Sequence, residues 1–173
     1  MFEKVVVIDG KDHILGRLAA VVAKQLLGGQ RIVIVRAEKI VATGPIERLL
    51  REWALYKKKN SVSNPFRGGP WHYKSPAKIV WKCIRGMVPH KTARGAAAMA
   101  RLKIFEGCPH PYSHKKKIVV TNALKAVVLD SFRKSTYLGE FSTRVGWSHL
   151  PVLESLEKKR VERAKKYYDD KVN

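Results

Sequence analysis

Residues 4–35 read KVVVIDGKDHILGRLAAVVAKQLLGGQRIVIV, and their pattern is the clearest indication of the fold class in this chain. Its two ends, KVVVI at 4–8 and RIVIV at 31–35, are short β-branched runs that predict buried strands. Between them, residues 14–27 place Leu, Val and Ala at helical spacing, and Gly28 and Gly29 end that helix. Strand, helix and strand with short links predict a right-handed βαβ unit in a parallel sheet.

Beyond residue 35 the pattern predicts further helices and short strands. We expect helices after Pro45, after Ser75 and Pro76, at 96–102, at 122–129, at 137–147 and at 152–168, and strands at 103–105 and 118–120. The segment CPHPY at 108–112 is expected to be irregular because it contains two prolines. The last helix has a thin apolar face, so we interpret it as an appendage that lies on the surface or on a partner.

The most informative stretch for function is 53–105. It contains twelve Lys or Arg and no Asp or Glu, although the whole chain has 14 acids in 173 residues. Aromatic residues lie among these bases at Trp53, Tyr56, Phe66, Trp71, Tyr73, Trp81 and Phe105. A surface of one sign repels itself unless it meets a polyanion, and aromatic rings can stack on unpaired bases. Our hypothesis is that this stretch binds RNA.

The composition of the whole chain supports a folded protein with a polyanionic partner. A hydrophobic content of 45% predicts a proper core, while a net charge of +21 opposes compaction unless part of it is neutralised. No apolar run is long enough to cross a bilayer, and the N-terminus leads into a strand rather than a signal peptide, so we expect no membrane partner. Only Cys83 and Cys108 are present, which favours a reducing compartment.

Two basic loops, 57–74 and 86–95, flank the helix that begins at Ser75. The best phosphate-binding candidates are Arg67, Lys74, Arg85, Lys91 and Arg94, and the best stacking candidates are Trp71, His72 and His90. Backbone N–H groups at the helix start near Ser75 and Pro76 could add an anion site. For Trp53 and Trp81 we favour simple packing, whereas Trp71 fits either the core or an RNA contact.

Motifs of enzymes are missing from the sequence. The first strand–turn–helix lacks the GxGxxG glycines, and no GxxxxGK[ST] loop is present. Asp9, Asp12 and His13 are interpreted as turn and helix-cap residues rather than an acid–base cluster. A two-metal nuclease needs carboxylates near its nucleic acid, and the basic stretch has none. We therefore predict no catalytic residue and no small-molecule substrate.

A metal or cofactor is also not expected. Cys108, His110 and His114 have residue types that bind metals, but structural zinc usually takes four ligands in paired clusters. Cys83 stands alone on the apolar face of a helix, and neither cysteine lies in a motif typical of a nucleophile.

The sequence resembles the universal large-subunit ribosomal protein thirteen family. Its signature is matched by IRGMVP at 84–89, Gly95 and LKIFEG at 102–107, together with LGRLA at 15–19 and AEKI at 37–40. The archaeal and eukaryotic branch is matched by RGGPWH at 67–72, PHKT at 89–92, YLG at 137–139 and VGW at 145–147. The resemblance covers about residues 3–150, and Gly69 is an apparent extra glycine relative to the family's loop.

This resemblance implies a fold and a function. The implied fold is α/β: a three-layer α/β/α domain with a four-stranded parallel sheet at 1–150, and a C-terminal helical extension at 151–173. The implied function is that of a structural constituent of the large ribosomal subunit that binds large-subunit rRNA and supports assembly and translation. Neighbouring large-subunit proteins are further expected partners, with the C-terminal helix as a candidate dock. The implied location is the cytoplasmic ribosome, with assembly through the nucleolus if the source is a eukaryote.

The combined prediction for the RNA-binding residues joins the loop candidates to three lysine-rich segments. The predicted residues are Lys57, Lys58, Lys59, Arg67, Trp71, His72, Lys74, Arg85, His90, Lys91, Thr92, Arg94, Lys115, Lys116 and Lys117. The alternative hypothesis is a free-standing regulatory RNA-binding protein or a nucleic-acid enzyme.

Overall fold

A three-stranded parallel sheet lies at the centre of the computed structural model, which describes residues 4–60, 63–64, 66 and 69–172. Strands β1 (Val6–Asp9), β2 (Ile32–Val35) and β4 (Leu102–Ile104) pair in the order β1-β2-β4. Val6 pairs with Ile32 and Ile32 with Leu102, both in parallel register. The predicted βαβ unit is confirmed, since helix α1 (Leu15–Gly28) connects β1 to β2.

The expectation of a four-stranded parallel sheet is wrong for the described residues. The predicted fourth strand at 118–120 makes a single bridge, in which Ile118 pairs with Ile8 at the free edge of β1. The segment then leaves the sheet, because the Val120 N–H donates to the buried His13 ring (3.0 Å) rather than to β1.

The remaining strands form a separate antiparallel ribbon. Strand β3 (Val41–Thr43) pairs with β5 (Ser135–Tyr137), with Val41 opposite Tyr137. A 3₁₀ turn at Ala37–Lys39 connects β2 to β3, and helix α7 (Leu138–Val145) follows β5 directly. The ribbon therefore brings α7 close to the end of β2.

The two faces of the parallel sheet are covered differently. On one face, the apolar sides of α1, α3 (Pro76–Met87) and α4 (Ala93–Ala100) pack on Ile8, Ile32, Ile34 and Leu102. On the other face, the alternate residues Val7, Val33 and Val35 pack with Val5, Phe105, Cys108 and Tyr112. The layer on that second side is thus a loop and one helical turn, α5 (His110–Ser113), rather than a set of long helices.

Helix α1 illustrates how the sequence fixes these elements. Its residues Leu18, Ala19, Val22, Ala23 and Leu26 recur at helical spacing and are all buried. Gly29 follows in the left-handed conformation at φ 107°, which a side chain would strain. The N–H of Gln30 donates to the Gln25 carbonyl (3.1 Å), so the helix ends where the two glycines predict.

The other helices include one that the sequence did not predict. Helix α2 is Ile46–Lys57, a 3₁₀ turn spans Thr121–Ala123, α6 is Lys125–Val128, and α8 is Leu150–Val172. The expectation of an irregular segment at 108–112 is wrong, because α5 begins at His110. Pro111 lies in the first turn, where a missing N–H costs no intrahelical hydrogen bond.

Helix α8 is longer than the expected 152–168 and is exposed along most of its length. The division of the chain at residue 150 into a domain and an extension stays a prediction.

Candidate RNA-binding surface

Helix α3 builds the centre of the candidate site. Its inner side buries Pro76, Val80 and Ile84 in the core. Because a helix repeats every 3.6 residues, the positions between these point outward. The outward positions are Lys78, Trp81, Lys82 and Arg85. The same spacing that predicts the buried face therefore produces a basic and aromatic stripe on the other face.

The cations of this stripe lie over aromatic rings. The Lys78 Nζ is 5.3 Å from the centre of the Trp81 ring and 5.9 Å from that of Tyr73. The Arg85 guanidinium lies 5.8 Å from the centre of the same Trp81 ring. Trp81 thus holds two cations near its ring, an arrangement that is stabilising by about 0.5–1 kcal/mol per exposed pair. Trp81 packs against the core, as the sequence favoured. It also lies close to the cations of Lys78 and Arg85.

Lys82 connects α3 to the end of α2 and to the loop before α3. Its Nζ donates to the Trp71 carbonyl (2.9 Å) and to the Tyr56 hydroxyl, and that hydroxyl also donates to the Trp71 carbonyl (3.1 Å). These bonds fix the backbone at Trp71, while its indole remains 77% exposed. Trp71 is therefore not a core residue, and it stacks beside Tyr73 with ring centres 6.4 Å apart.

His72, also predicted to stack on RNA, lies within the protein's own aromatic cluster. Its ring meets Tyr56 edge-on at 4.5 Å and Trp53 at 6.1 Å. Trp53 in turn contacts Phe141 of α7 at 5.9 Å, which agrees with the packing interpretation for Trp53. Stacking of His72 on RNA stays a prediction. The contacts with Tyr56 and Trp53 are by themselves a structural reason for an aromatic ring at position 72.

The second basic loop is shorter than the sequence indicated, since α3 continues to Met87 and α4 begins at Ala93. Thr92 caps α4: its hydroxyl accepts from the Gly95 N–H (3.2 Å) and donates to the Pro89 carbonyl (2.8 Å). A side chain at Gly95 would collide with that same carbonyl. The loop is therefore rigid, and it presents Lys91 and Arg94 as exposed side chains beside the half-buried His90.

The first basic loop lies at the end of α2. Lys57, Lys58 and Lys59 are all exposed there, and Arg67 lies outside the described residues. Gly69 lies so close to the end of α2 that an added Cβ would come to 2.6 Å from the Lys59 carbonyl oxygen. The apparent extra glycine is thus required by the close approach of the loop. Lys74 is also exposed, and its ammonium lies beside Gly146 at the C-terminal end of α7, where a cation suits the helix dipole.

One part of the predicted site is wrong. The start of α3 near Ser75 and Pro76 does not offer a free anion site, because the Glu106 carboxylate accepts there from the Ala77 N–H (3.3 Å). Glu106 follows β4 directly, so the fold brings to this helix end an acid that is distant in sequence.

The last three predicted lysines, Lys115 to Lys117, lie beside the edge of β1 rather than on α3. Lys117 donates to the Ser113 carbonyl (2.9 Å), and the Lys115 Nζ lies 5.8 Å from the centre of the Tyr112 ring. They form a second basic cluster. The first consists of the predicted residues from α2, α3 and the two loops that the structure describes, which leaves out Arg67, and together with Lys78, Trp81 and Lys82 we call it the basic surface. Sequence reasoning missed Lys78 and Lys82, although their helical spacing to Arg85 was a usable signal.

Among the described residues, no acidic side chain forms an ion pair with the basic surface. Within the described ranges, the ion pairs join Arg36 to Asp9 and Glu157, Arg48 to Glu52 and Arg160 to Glu157. None involves a residue between 53 and 105. The positive charge of this surface is therefore not compensated by these intramolecular pairs.

In the cluster at Asp9, Asp12 and His13, the turn interpretation is confirmed for Asp9, but the helix-cap interpretation is wrong, because Ile14 precedes α1 and no side chain caps that helix. Asp9 accepts from the Lys11 N–H (3.1 Å) and from Arg36 Nε (2.8 Å). His13 is fully buried, with Nδ1 bonded to the Lys11 carbonyl (2.9 Å) and Nε2 to the Val120 N–H. Burial lowers the pKa of His13, so its ring is neutral at physiological pH.

Two further features bear on other classes of protein. Among the described residues, no group of three His, Cys, Asp or Glu side chains is placed to share a metal ion. In the same part of the chain, no helix combines the length and the apolar composition that a bilayer crossing requires.

Comparison with known sequences agrees with the resemblance seen in the motifs. The profile of the family described as Ribosomal protein L13 matches residues 3–111. A relative from Tetrahymena thermophila, named large ribosomal subunit protein uL13, is 51% identical over 172 residues, which is 99% of this chain and 86% of that protein. The family predicted from the motifs is confirmed, and the chain belongs to the Ribosomal protein L13 family.

Proposed function

We propose that this chain is a structural, non-catalytic constituent of the large ribosomal subunit, where it binds large-subunit rRNA and supports assembly and translation. The observation that carries the proposal is the outward stripe of α3, in which Lys78 and Arg85 both lie near the Trp81 ring with no acid among the residues from 53 to 105. Membership of the family supports the ribosomal setting.

The proposed mechanism is neutralisation of folded rRNA by a rigid surface. Lys91 and Arg94 in the second loop, and the lysines at the end of α2, would contact phosphates. Trp71, with its exposed indole beside a fixed backbone, would stack on an unpaired base. Charge contacts of this kind position RNA, while shape and loop conformation provide selectivity. We extend the same proposal, contact with rRNA, to the remaining predicted residues, which include Arg67, Lys74, His90 and Lys115 to Lys117.

The salt dependence of binding tests the electrostatic mechanism. The full chain is titrated with transcribed fragments of large-subunit rRNA at several potassium concentrations. Six phosphate contacts would give a slope of about −4 to −5 in log K against log salt. A slope near zero would reject the mechanism.

The alternative of a free-standing regulatory RNA-binding protein or a nucleic-acid enzyme is not favoured, because the family is ribosomal and the basic surface contains no carboxylate. Sedimentation of a cell lysate separates the two classes. A ribosomal constituent co-migrates with large subunits in the cytoplasm at moderate salt, whereas a free-standing protein remains in the soluble pool. If the source is a eukaryote, we propose that assembly passes through the nucleolus, and labelled protein would then accumulate there.

A further inference from the structure

A groove of about 750 Å³ runs between the first three turns of α8 and the body of the protein. The body contributes the turn after β1, the 3₁₀ turn before β3, and the start of α7. The lining residues are Lys11, Asp12, Glu38, Lys39, Tyr137, Gly139, Glu140, Leu150, Leu153, Glu154, Glu157, Lys158, Val161 and Glu162. This size is within the range of protein sites that hold a ligand of several residues or a drug-sized molecule.

The groove has fixed walls and an apolar floor. Leu150 approaches Gly139 so closely that an added Cβ would lie 3.3 Å from its Cδ1, and a Cβ on Gly107 would lie 2.7 Å from Leu153. These contacts hold α8 against the body without filling the groove. Val161 remains 52% exposed and Tyr137 43% exposed, so apolar surface stays available in the space.

The charge of the groove is opposite to that of the rest of the protein. Its lining contains six of the chain's 14 acids but only three of its 35 Lys and Arg residues. Three of these acids are used internally, since Glu38 accepts from the Gly107 N–H (2.9 Å), Asp12 accepts from the Tyr137 hydroxyl (2.9 Å), and Glu157 pairs with Arg160 and Arg36. Glu140, Glu154 and Glu162 also line the groove. Such a surface repels phosphates and attracts cationic side chains.

We propose that this groove binds an extended Lys/Arg-rich segment of another large-subunit protein, with an apolar side chain inserted between α8 and Tyr137. The proposal rests on the proposed function, because the partner is another protein of the large ribosomal subunit. It adds the chemical character of the partner segment that would bind beside α8. Charge complementarity favours a basic peptide over RNA, because Glu154 and Glu162 face the space that a nucleic-acid backbone would occupy.

Site-directed photo-crosslinking in assembled large subunits tests this. A photoreactive residue replaces Val161 in the groove, Val152 as a matched control, or Lys91 on the basic surface. Val152 lies on the same helix and is 58% exposed, but it does not line the groove. We expect Lys91 to crosslink to rRNA, and Val161 to crosslink, in higher yield than Val152, to a Lys/Arg-rich segment of another subunit protein.

Charge reversal provides the second measurement. Glu154→Lys with Glu162→Lys should lower the Val161 crosslink by about tenfold, whereas Asp169→Lys with Asp170→Lys, which adds the same charge farther along α8, should leave it unchanged. The proposal is overturned if Val161 crosslinks to rRNA or to a segment without excess basic residues, if its yield only equals that of Val152, or if both double variants act alike. Loss of the Lys91–rRNA crosslink would instead refute the proposed function.

Discussion

Removal of two cations from the second basic loop, by Lys91→Ala with Arg94→Ala, should weaken rRNA binding without unfolding the protein. Both side chains are exposed, and neither takes part in the ion pairs found among the described residues. The Thr92 cap and Gly95, which hold the loop in place, are untouched. Alanine is also the best helix former, so α4 should tolerate it at position 94.

The expected size of the effect follows from counterion release. Each lost phosphate contact removes about 0.7–0.9 from the slope of log K against log salt, so two contacts remove about 1.4–1.8. At about 0.1 M salt, the same terms lower the association constant by roughly 25- to 60-fold. An effect on affinity without a change in slope would not be electrostatic.

Fluorescence anisotropy with labelled rRNA fragments, at salt concentrations from about 0.05 to 0.4 M, measures both quantities. The matched control is Lys165→Ala with Lys166→Ala, which removes the same charge from the exposed part of α8. Circular dichroism checks that each variant is folded. The reasoning is refuted if the loop variant keeps the wild-type slope, or if the α8 control loses as much affinity as the loop variant.

Three further predictions concern stability. Gly95→Ala should destabilise the chain by about 1–3 kcal/mol in denaturant unfolding, because the new methyl group meets the Pro89 carbonyl; a neutral effect would show that the loop yields easily. Thr92→Ala should cost about 1 kcal/mol, whereas Thr92→Ser should recover most of it by restoring the cap; equal losses would exclude capping. His13 has a pKa below its ordinary value of 6.5, so the unfolded chain takes up a proton first and the free energy of unfolding should fall as the pH drops below about 6.5. His13→Gln should flatten that decline, and an unchanged pH profile would contradict the assignment.

The parts of the fold that the sequence predicted are those with strong local signals. The β-branched runs at 4–8 and 31–35 and the helix ended by Gly29 are present where expected. The predicted fourth strand is not present, because the Val120 N–H donates to the His13 ring instead of pairing with β1. Strand propensity at 118–120 does not reveal this competing acceptor. A tertiary hydrogen bond overrides local preference here, and only the folded structure reveals it.

The candidate site shows the same division. The absence of acids from 53–105 is readable from the sequence, and so is the helical spacing that places Lys78 and Arg85 on one side of α3. The position of Glu106 at the start of α3, and the bonds from Lys82 to Tyr56 and Trp71, join residues far apart in the chain. No periodicity predicts such contacts, so the anion site expected at Ser75 and Pro76 was wrong.

The rings beneath the cations give the basic surface two parts with different physical roles. Lys78 and Arg85 are already held near Trp81, so they lose less conformational freedom when they meet a phosphate. Lys57, Lys58 and Lys59 are exposed at a helix end and must be ordered on binding, at a cost of about 0.5–1.5 kcal/mol for each immobilised side chain. The two groups carry the same kind of charge, but they differ in how much conformational freedom they lose on binding. The α3 stripe should therefore determine where the RNA lies, while the lysines of α2 add attraction that depends little on the exact shape of the RNA.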